Sequence, residues 1–317
     1  MKKILITRKL LPPSEAYASK IFDAKLNKED KLITQEDLIK NSKDCDGILS
    51  SLTEKINADV IEKLSDNVKI ISNFAVGYGN IDLVAAKKRN IVVTNTPNVL
   101  TDATAEIAML ILLGAARRAK EGIKWADKKN WKWSADFLMG KQLTGARLGI
   151  LGMGRIGRAV ANIARSFGMI IHYHNRSQLD KNLEKGAIYH NSLESLLSVS
   201  DFFSINCPAT KETKHIINKE TLNYFPDGAV LSNSARGDMI EDNAMVEVLK
   251  NGKIYSLGID VYNGEPDIHP EYLSLPNVFV LPHLGSATIG TRTAMGNLAV
   301  ANIEEFFKTG KCKNTVN

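Results

Sequence analysis

The sequence predicts an α/β protein of two domains, each built on a parallel sheet with helices on its faces. Three observations carry that expectation. The chain has 317 residues, enough for two domains of ordinary size. Short apolar, β-branched runs alternate with helix-period segments in the first hundred residues, and do so again from Arg147 to about His283. At the head of the second set, the apolar run Leu148–Leu151 leads into Gly152-Met-Gly-Arg-Ile-Gly157, and Arg155 to Phe167 carries apolar residues at helical spacing.

In chain order, Lys3–Thr7 reads as the first strand, because MKKILITRKL holds too short an apolar stretch for a signal-peptide core. Gly47–Leu52, Val68–Phe74 and Ile91–Asn95 follow as strands, with helices over Ala58–Leu64 and Leu83–Arg89 between them. Asp102–Asp127 reads as one long apolar helix, opened by Thr101 or Asp102. Lys128–Thr144 is irregular and holds Trp131, Trp133 and Phe137. The second set has six expected strands: Leu148–Leu151, Met169–His174, Phe202–Asn206, Val230–Ser234, Ser256–Val261 and Val278–Leu281. A final helix is expected over about Ala287 to Phe307.

Composition narrows the classes. Hydrophobic content of 44% and charged content of 24% suit a soluble globular protein. The longest apolar run, Ile107–Ala116, is too short to span a bilayer. Cys45, Cys207 and Cys312 form no CxxC pair, so a reducing cytoplasm is expected, without a disulfide framework or a zinc site. The net charge of +6 comes from scattered residues; even Lys87-Lys88-Arg89 ends a helix, which suits a solvated surface rather than a nucleic-acid partner. A mild positive field would still attract anionic substrates. His172 and His174 share a strand face, but no carboxylate or cysteine stands near them in sequence, and no metal is expected. His190, His215 and His269 have no distinguishing context.

The glycine corner has a chemical reading. Gly152 permits a tight turn, Gly154 lets a pyrophosphate approach the backbone, and Gly157 lets the helix pack close to the sheet. Arg155 and Ile156 open that helix, whose unpaired N–H groups and positive dipole end favour phosphates. At the end of the next strand, an Asp or Glu would accept from the ribose 2′-OH of NAD. Asn175, Arg176 and Ser177 stand there instead, and suit a 2′-phosphate. NADPH is therefore the expected cofactor, ahead of NADH.

Three strand-end segments carry titratable residues: Asn233-Ser-Ala-Arg236-Gly-Asp238, Asn263-Gly-Glu265-Pro266 and Pro282-His283-Leu-Gly285-Ser286. Ligands of open α/β sheets bind outside the carboxyl ends of the strands, so these segments should converge. Arg236 would bind a substrate carboxylate bidentately and polarise its carbonyl. His283 would protonate that carbonyl as hydride arrives, and Glu265 would favour the protonated imidazole and hold its ring.

The glycine corner, Asn-Ser-Ala-Arg-Gly-Asp, Gly-Ile-Asp-Val followed by Glu-Pro, and Leu-Pro-His-Leu-Gly-Ser-Ala-Thr together resemble the D-isomer-specific 2-hydroxyacid dehydrogenases over nearly the whole chain. Asn73-Phe-Ala-Val76-Gly77-Tyr-Gly-Asn-Ile-Asp82 and Asn-Arg-Ser most resemble the glyoxylate/hydroxypyruvate reductase branch. The resemblance implies a flavodoxin-like substrate domain, residues 1–98 with 285–317, and an inserted Rossmann dinucleotide-binding domain, residues 99–284, with the active site in the cleft. It maps the family's Arg, Glu and His onto Arg236, Glu265 and His283, and its substrate-carboxylate segment onto Val76 and Gly77. Leu52, with Ser51 and Tyr78, would line the substrate pocket. Cys207, Pro208, Ser234, Asp260 and Gly285 fall at cofactor-contact positions. The resemblance also implies a homodimer, for which the aromatic arm Trp125–Phe137 is suited.

Gln178 stands where NADPH-dependent relatives often have a second basic residue. Glu265 stands where the formate dehydrogenases of this superfamily have Gln. The expected reaction is NADPH-dependent reduction of glyoxylate or hydroxypyruvate to the D-2-hydroxy acid. The alternatives are a reductase of a bulkier 2-oxo acid such as 2-ketogluconate, and a non-enzymatic NAD(P)-sensing protein like the corepressors that share this fold.

Overall fold

The computed structural model describes residues 1–127 and 133–317. It divides into two compact units, residues 1–100 with 286–317, and residues 101–285. Among the described residues the strands form two parallel sheets, of five and seven strands.

In the first unit, β1 (Lys3–Ile6), β2 (Asp23–Lys25), β3 (Gly47–Ser51), β4 (Ile70–Phe74) and β5 (Val92–Thr94) lie in the order β2-β1-β3-β4-β5. This is the flavodoxin-like order. The inner strands carry apolar residues on both faces because both faces are covered. Ile4, Ile6, Leu49 and Ile70 face one cluster, which the Ile289–Thr309 helix completes with Ala299, Val300 and Ile303. Leu5, Ile48, Ile71 and Val93 alternate onto the opposite cluster. Each such fully buried aliphatic side chain stabilises the fold by about 1.5–3 kcal/mol. The last helix thus returns to the first unit, and Ser72 Oγ seals the join by donating to Ala299 O at 2.9 Å. The edge strand β2 carries no alternation signal: Asp23-Ala-Lys is set by pairing with Lys3–Leu5, not by its own pattern.

In the second unit, β6 (Arg147–Leu151), β7 (Ile170–His174), β8 (Ile188–His190), β9 (Phe202–Ile205), β10 (Ala229–Asn233), β11 (Ile254–Ile259) and β12 (Val278–Val280) lie in the order β12-β11-β10-β9-β6-β7-β8. The expected six strands become seven. The addition is β8, three residues at the sheet edge paired with His172–His174, too short to show a period.

The expected single helix from Asp102 to Asp127 is two helices, Thr101–Ala116 and Ala119–Asp127. Ala116 O, which a continuous helix would offer to residue 120, accepts instead from Lys141 N at 2.8 Å. Arg118 takes a left-handed φ of 56° and turns its guanidinium back onto Glu121. The competing donor, Lys141 N, comes from a distant segment, so apolar periodicity could not reveal the break. In the expected arm, Trp125 packs edge-on against Phe137 at 5.3 Å, and Trp133 is 76% exposed. Trp131 lies outside the described residues. Among the described residues no helix is long and apolar enough to cross a membrane.

Candidate active site

The glycine corner joins β6 to the Arg155–Ser166 helix. Gly152 has φ +92°, and a Cβ there would lie 2.5 Å from Cys207 N. Cys207 therefore serves the corner as a close neighbour, and burial pushes its thiol up to about 11, which makes it unreactive. At Gly157 a Cβ would fall 2.1 Å from Gly152 O, so any side chain would push the helix off the turn. Gly154 faces open space and is the N-cap of a helix without a side-chain cap. The free helix N-terminus and the open glycine beside it fit a dinucleotide pyrophosphate.

At the end of β7, Asn175 Oδ1 accepts from Met153 N at 2.7 Å. The amide is thereby oriented, with its NH2 as a donor on the other side. Arg176 and Ser177 are exposed. Gln178, by contrast, is tied to Glu184 at 2.8 Å, and the same carboxylate takes the Tyr173 hydroxyl at 2.6 Å. Gln178 is thereby tied into the turn that follows β7.

The candidate chemical groups lie on the loops after β10, β11 and β12. Asn233 shapes the first: its Oδ1 accepts from Ala235 N at 3.0 Å and its Nδ2 donates to Arg236 O at 2.8 Å. Gly237 then passes so close to the next loop that a Cβ would lie 1.9 Å from Tyr262 C. This approach brings Arg236 beside the Tyr262–Glu265 turn. Burial pulls the Arg236 guanidinium below its ordinary value, with the charges of Glu265 and Asp238 opposing. Ser234 and Pro208 stand at the ends of β10 and β9, as the sheet order places them.

Glu265 Oε2 meets His283 Nδ1 at 2.7 Å, and Glu265 Oε1 accepts from Tyr262 N at 3.0 Å. The carboxylate thus holds one ring nitrogen and leaves Nε2 to meet a ligand. Burial by itself would raise the Glu265 carboxyl. The hydrogen bond and charge of His283, the Tyr262 N–H and the charge of Arg236 overcome it and hold the group below the ordinary glutamate range. The sign follows: a carboxyl lowered on folding contributes stability above its ordinary value of about 4.3, and that contribution is lost as pH falls through the lowered value. The Tm gap between the protein and a Glu265→Gln variant is therefore expected to narrow as the pH falls below about 4. Thermal unfolding from pH 7 to pH 3 measures it; a gap that does not narrow removes this pair from the acid response.

His283 itself sits at φ 56°, a left-handed conformation costly for a residue with a Cβ. Asp260, only 1% exposed, explains how the turn is held. Its carbonyl accepts from His283 N at 2.9 Å. Its carboxylate takes Leu284 N at 2.7 Å and Gly285 N at 2.8 Å. Burial pushes the Asp260 carboxyl up, while Leu284 N–H, His283 and Gly285 N–H pull it down. Thr104 Oγ1 donates to Gly285 O at 3.0 Å and pins the far side. This turn-holding role of Asp260 was not legible in sequence; its spacing from Gly285 shows only as a fold contact.

In the first unit, Val76 and Gly77 follow β4, and Leu52 follows β3 at 42% exposure. Glu54, 4% exposed, organises the Leu52 turn by accepting from Ser51 N and Thr7 Oγ1, both at 2.6 Å. Among the histidines, His190 proves to have a partner after all: its Nε2 faces His172 Nδ1 at 2.9 Å. Among the described residues no group of three or more His, Cys, Asp or Glu could hold a metal.

A doubly wound sheet with an open glycine corner at its switch point is the dinucleotide-binding class of α/β fold. Comparison with known proteins narrows the class. A model of the NAD-binding domain of D-isomer specific 2-hydroxyacid dehydrogenases matches residues 109–285. The chain is 42% identical to a glycerate dehydrogenase from Hyphomicrobium methylovorum, over 96% of each chain. It is 39% identical to a glyoxylate reductase from Thermococcus kodakarensis, over 99% of this chain and 95% of the other. Its fold matches the crystal structure of an NADPH-dependent glyoxylate/hydroxypyruvate reductase from Sinorhizobium meliloti in complex with NADP and malonate, with a TM-score of 0.89 and 32% identity over 99% and 96% of the two chains. The protein belongs to the D-isomer specific 2-hydroxyacid dehydrogenases, a family of oxidoreductases.

Proposed function

We propose that this protein reduces a small 2-oxo acid, glyoxylate or hydroxypyruvate, to the D-2-hydroxy acid at the expense of NADPH. The observation that carries the reading is the Glu265–His283 pair at 2.7 Å, with Arg236 on the neighbouring loop. The similarity to glyoxylate reductases and to a glycerate dehydrogenase supports the substrate class. The cofactor supplies the hydride when bound. Arg236 binds the substrate carboxylate through its planar fork. His283 Nε2 gives a proton to the carbonyl oxygen, so that hydride and proton together turn C=O into CH–OH. Glu265 holds the ring and offsets the positive charge of the protonated imidazole. The N–H groups of Val76 and Gly77 bind the substrate carboxylate, and Leu52 shapes the pocket.

Gly152, Gly154, Arg155, Ile156 and Gly157 hold the pyrophosphate, and Cys207, Pro208, Ser234, Asp260 and Gly285 border the rest of the cofactor. Asn175, Arg176 and Ser177 read the 2′-phosphate; the Asn175 amide turned outward by Met153 N and the absence of a carboxylate at these three positions support NADPH. Initial rates at pH 7 with each acid and each nicotinamide cofactor test the reading; no turnover of either acid would overturn it. Arg176→Ala is expected to weaken NADPH binding by about 1.5–3 kcal/mol, as for a hydrogen bond to a charged group, and to leave NADH binding unchanged. Equal losses for the two cofactors, measured by titration of protein fluorescence, would remove Arg176 from that role.

A further inference from the structure

The geometry points to Asn73 and Asn95 as positioning residues that aim the N–H groups of Val76, Gly77 and Tyr78 as an anion-binding nest. This inference rests on the functional reading above, which gives the nest a 2-oxo acid carboxylate to bind.

The argument starts from three consecutive carbonyls. Ala75 O accepts from Thr96 N at 2.9 Å. Val76 O accepts from the Asn95 side-chain amide at 2.8 Å, and Gly77 O from that of Asn73 at 2.9 Å. These peptide bonds are trans, so in each plane the N–H points opposite to the C=O. The donors all come from the carboxyl ends of β4 and β5 or the residues just beyond them. With the carbonyls drawn back toward the sheet, the N–H groups of Val76, Gly77 and Tyr78 are turned away from it. Among the described residues none of these three N–H groups donates a hydrogen bond. Successive N–H groups held in one direction form a concavity for an anion, and it binds best when no reorganisation is needed.

The two asparagines are themselves held in place. Asn73 is fully buried; its Oδ1 accepts from Ser50 Oγ at 3.0 Å and its Nδ2 also reaches Asn80 Oδ1 at 3.1 Å. Asn80 Nδ2 in turn donates to Ser51 O at 2.9 Å, which ties the nest to the Leu52 turn. Asn95 is gripped through its backbone: its N donates to Asn314 O at 3.2 Å, and its O accepts from the buried Asn302 of the last helix at 2.9 Å. The last helix therefore braces the nest as well as closing the core. A side-chain amide suits this position because it donates without adding charge beside an anion site; a lysine would compete for the anion, and an aspartate would repel the carbonyl.

The test is steady-state kinetics on Asn95→Ala and Asn73→Ser, with oxamate as an unreactive carboxylate competitor. Each variant loses one carbonyl anchor and leaves one peptide plane free to turn. KM for the 2-oxo acid and Ki for oxamate are expected to rise together, by about tenfold, the size of one net hydrogen bond. KM for the nicotinamide cofactor and kcat at saturating acid should stay within about twofold. A merely structural role would lower Tm and leave oxamate inhibition unmoved, which overturns the inference. If one variant does not fold, the other decides the matter, since they anchor different carbonyls. A wild-type protein that turns over 2-oxo acids while both variants keep its oxamate Ki removes the inference alone. A wild-type protein blind to both acids and oxamate removes the functional reading and this inference with it.

Discussion

Replacing His283 by alanine is expected to lower kcat for 2-oxo acid reduction by about 10²–10⁴-fold, the range that general acid–base groups contribute. Without a proton donor at the carbonyl, hydride addition would leave an alkoxide to be protonated by water. The structure supplies the reasons for expecting the upper part of that range. The imidazole is fixed at Nδ1 by Glu265 and at its backbone by Asp260 O. A group so restrained loses little entropy in reaching the reacting atom. Cofactor affinity should be retained, because the corner at Gly152–Gly157 is built from other residues. Equilibrium titration with NADPH alongside the rate measurement separates the two effects. Turnover within about threefold of wild type would exclude His283 as the acid.

The second large effect is expected at Arg236. Arg236→Lys should lower kcat/KM for the acid by about 10²-fold or more, although the charge is kept. A planar fork can hold a carboxylate through two parallel hydrogen bonds and still lie against the carbonyl oxygen, whereas an ammonium offers one compact charge. The site also fixes where the fork begins: Asn233 sets the loop, and Gly237 runs against Tyr262 with no room for a side chain. The shorter reach of lysine cannot be made up by a backbone shift. The loss should appear in KM for the acid and in kcat, with KM for the cofactor unchanged. A variant with full kcat and a raised KM alone would show that Arg236 binds the acid without stabilising the transition state.

Some of this was legible from residues alone. Strands such as Ile4–Ile6 and Leu148–Leu151 announce themselves because covered parallel strands must be apolar on both faces. Gly152 and Gly157 are legible because a Cβ at either would fall within 2.1–2.5 Å of a backbone atom, which admits no other residue. The titratable residues at 236, 265 and 283 stand out because they follow directly on apolar strand runs, beside small residues. The elements that escaped are those whose partners lie far along the chain. The strand β8 exists through pairing with β7, and the helix break at Arg118 exists through Lys141 capturing Ala116 O.

The sequence by itself determined the α/β class, the dinucleotide corner and which candidate titratable groups follow the strands of the second unit, because these depend on local period, on glycine and on side-chain chemistry. Only the tertiary structure decided their orientation. It placed Glu265 on Nδ1 of His283, put Asp260 beneath the left-handed turn, and set Asn73 and Asn95 behind two carbonyls of the Val76–Gly77 loop. The physical reason is that a hydrogen bond is directional and its partner can come from anywhere in the chain, whereas periodicity records only what a residue does relative to its near neighbours.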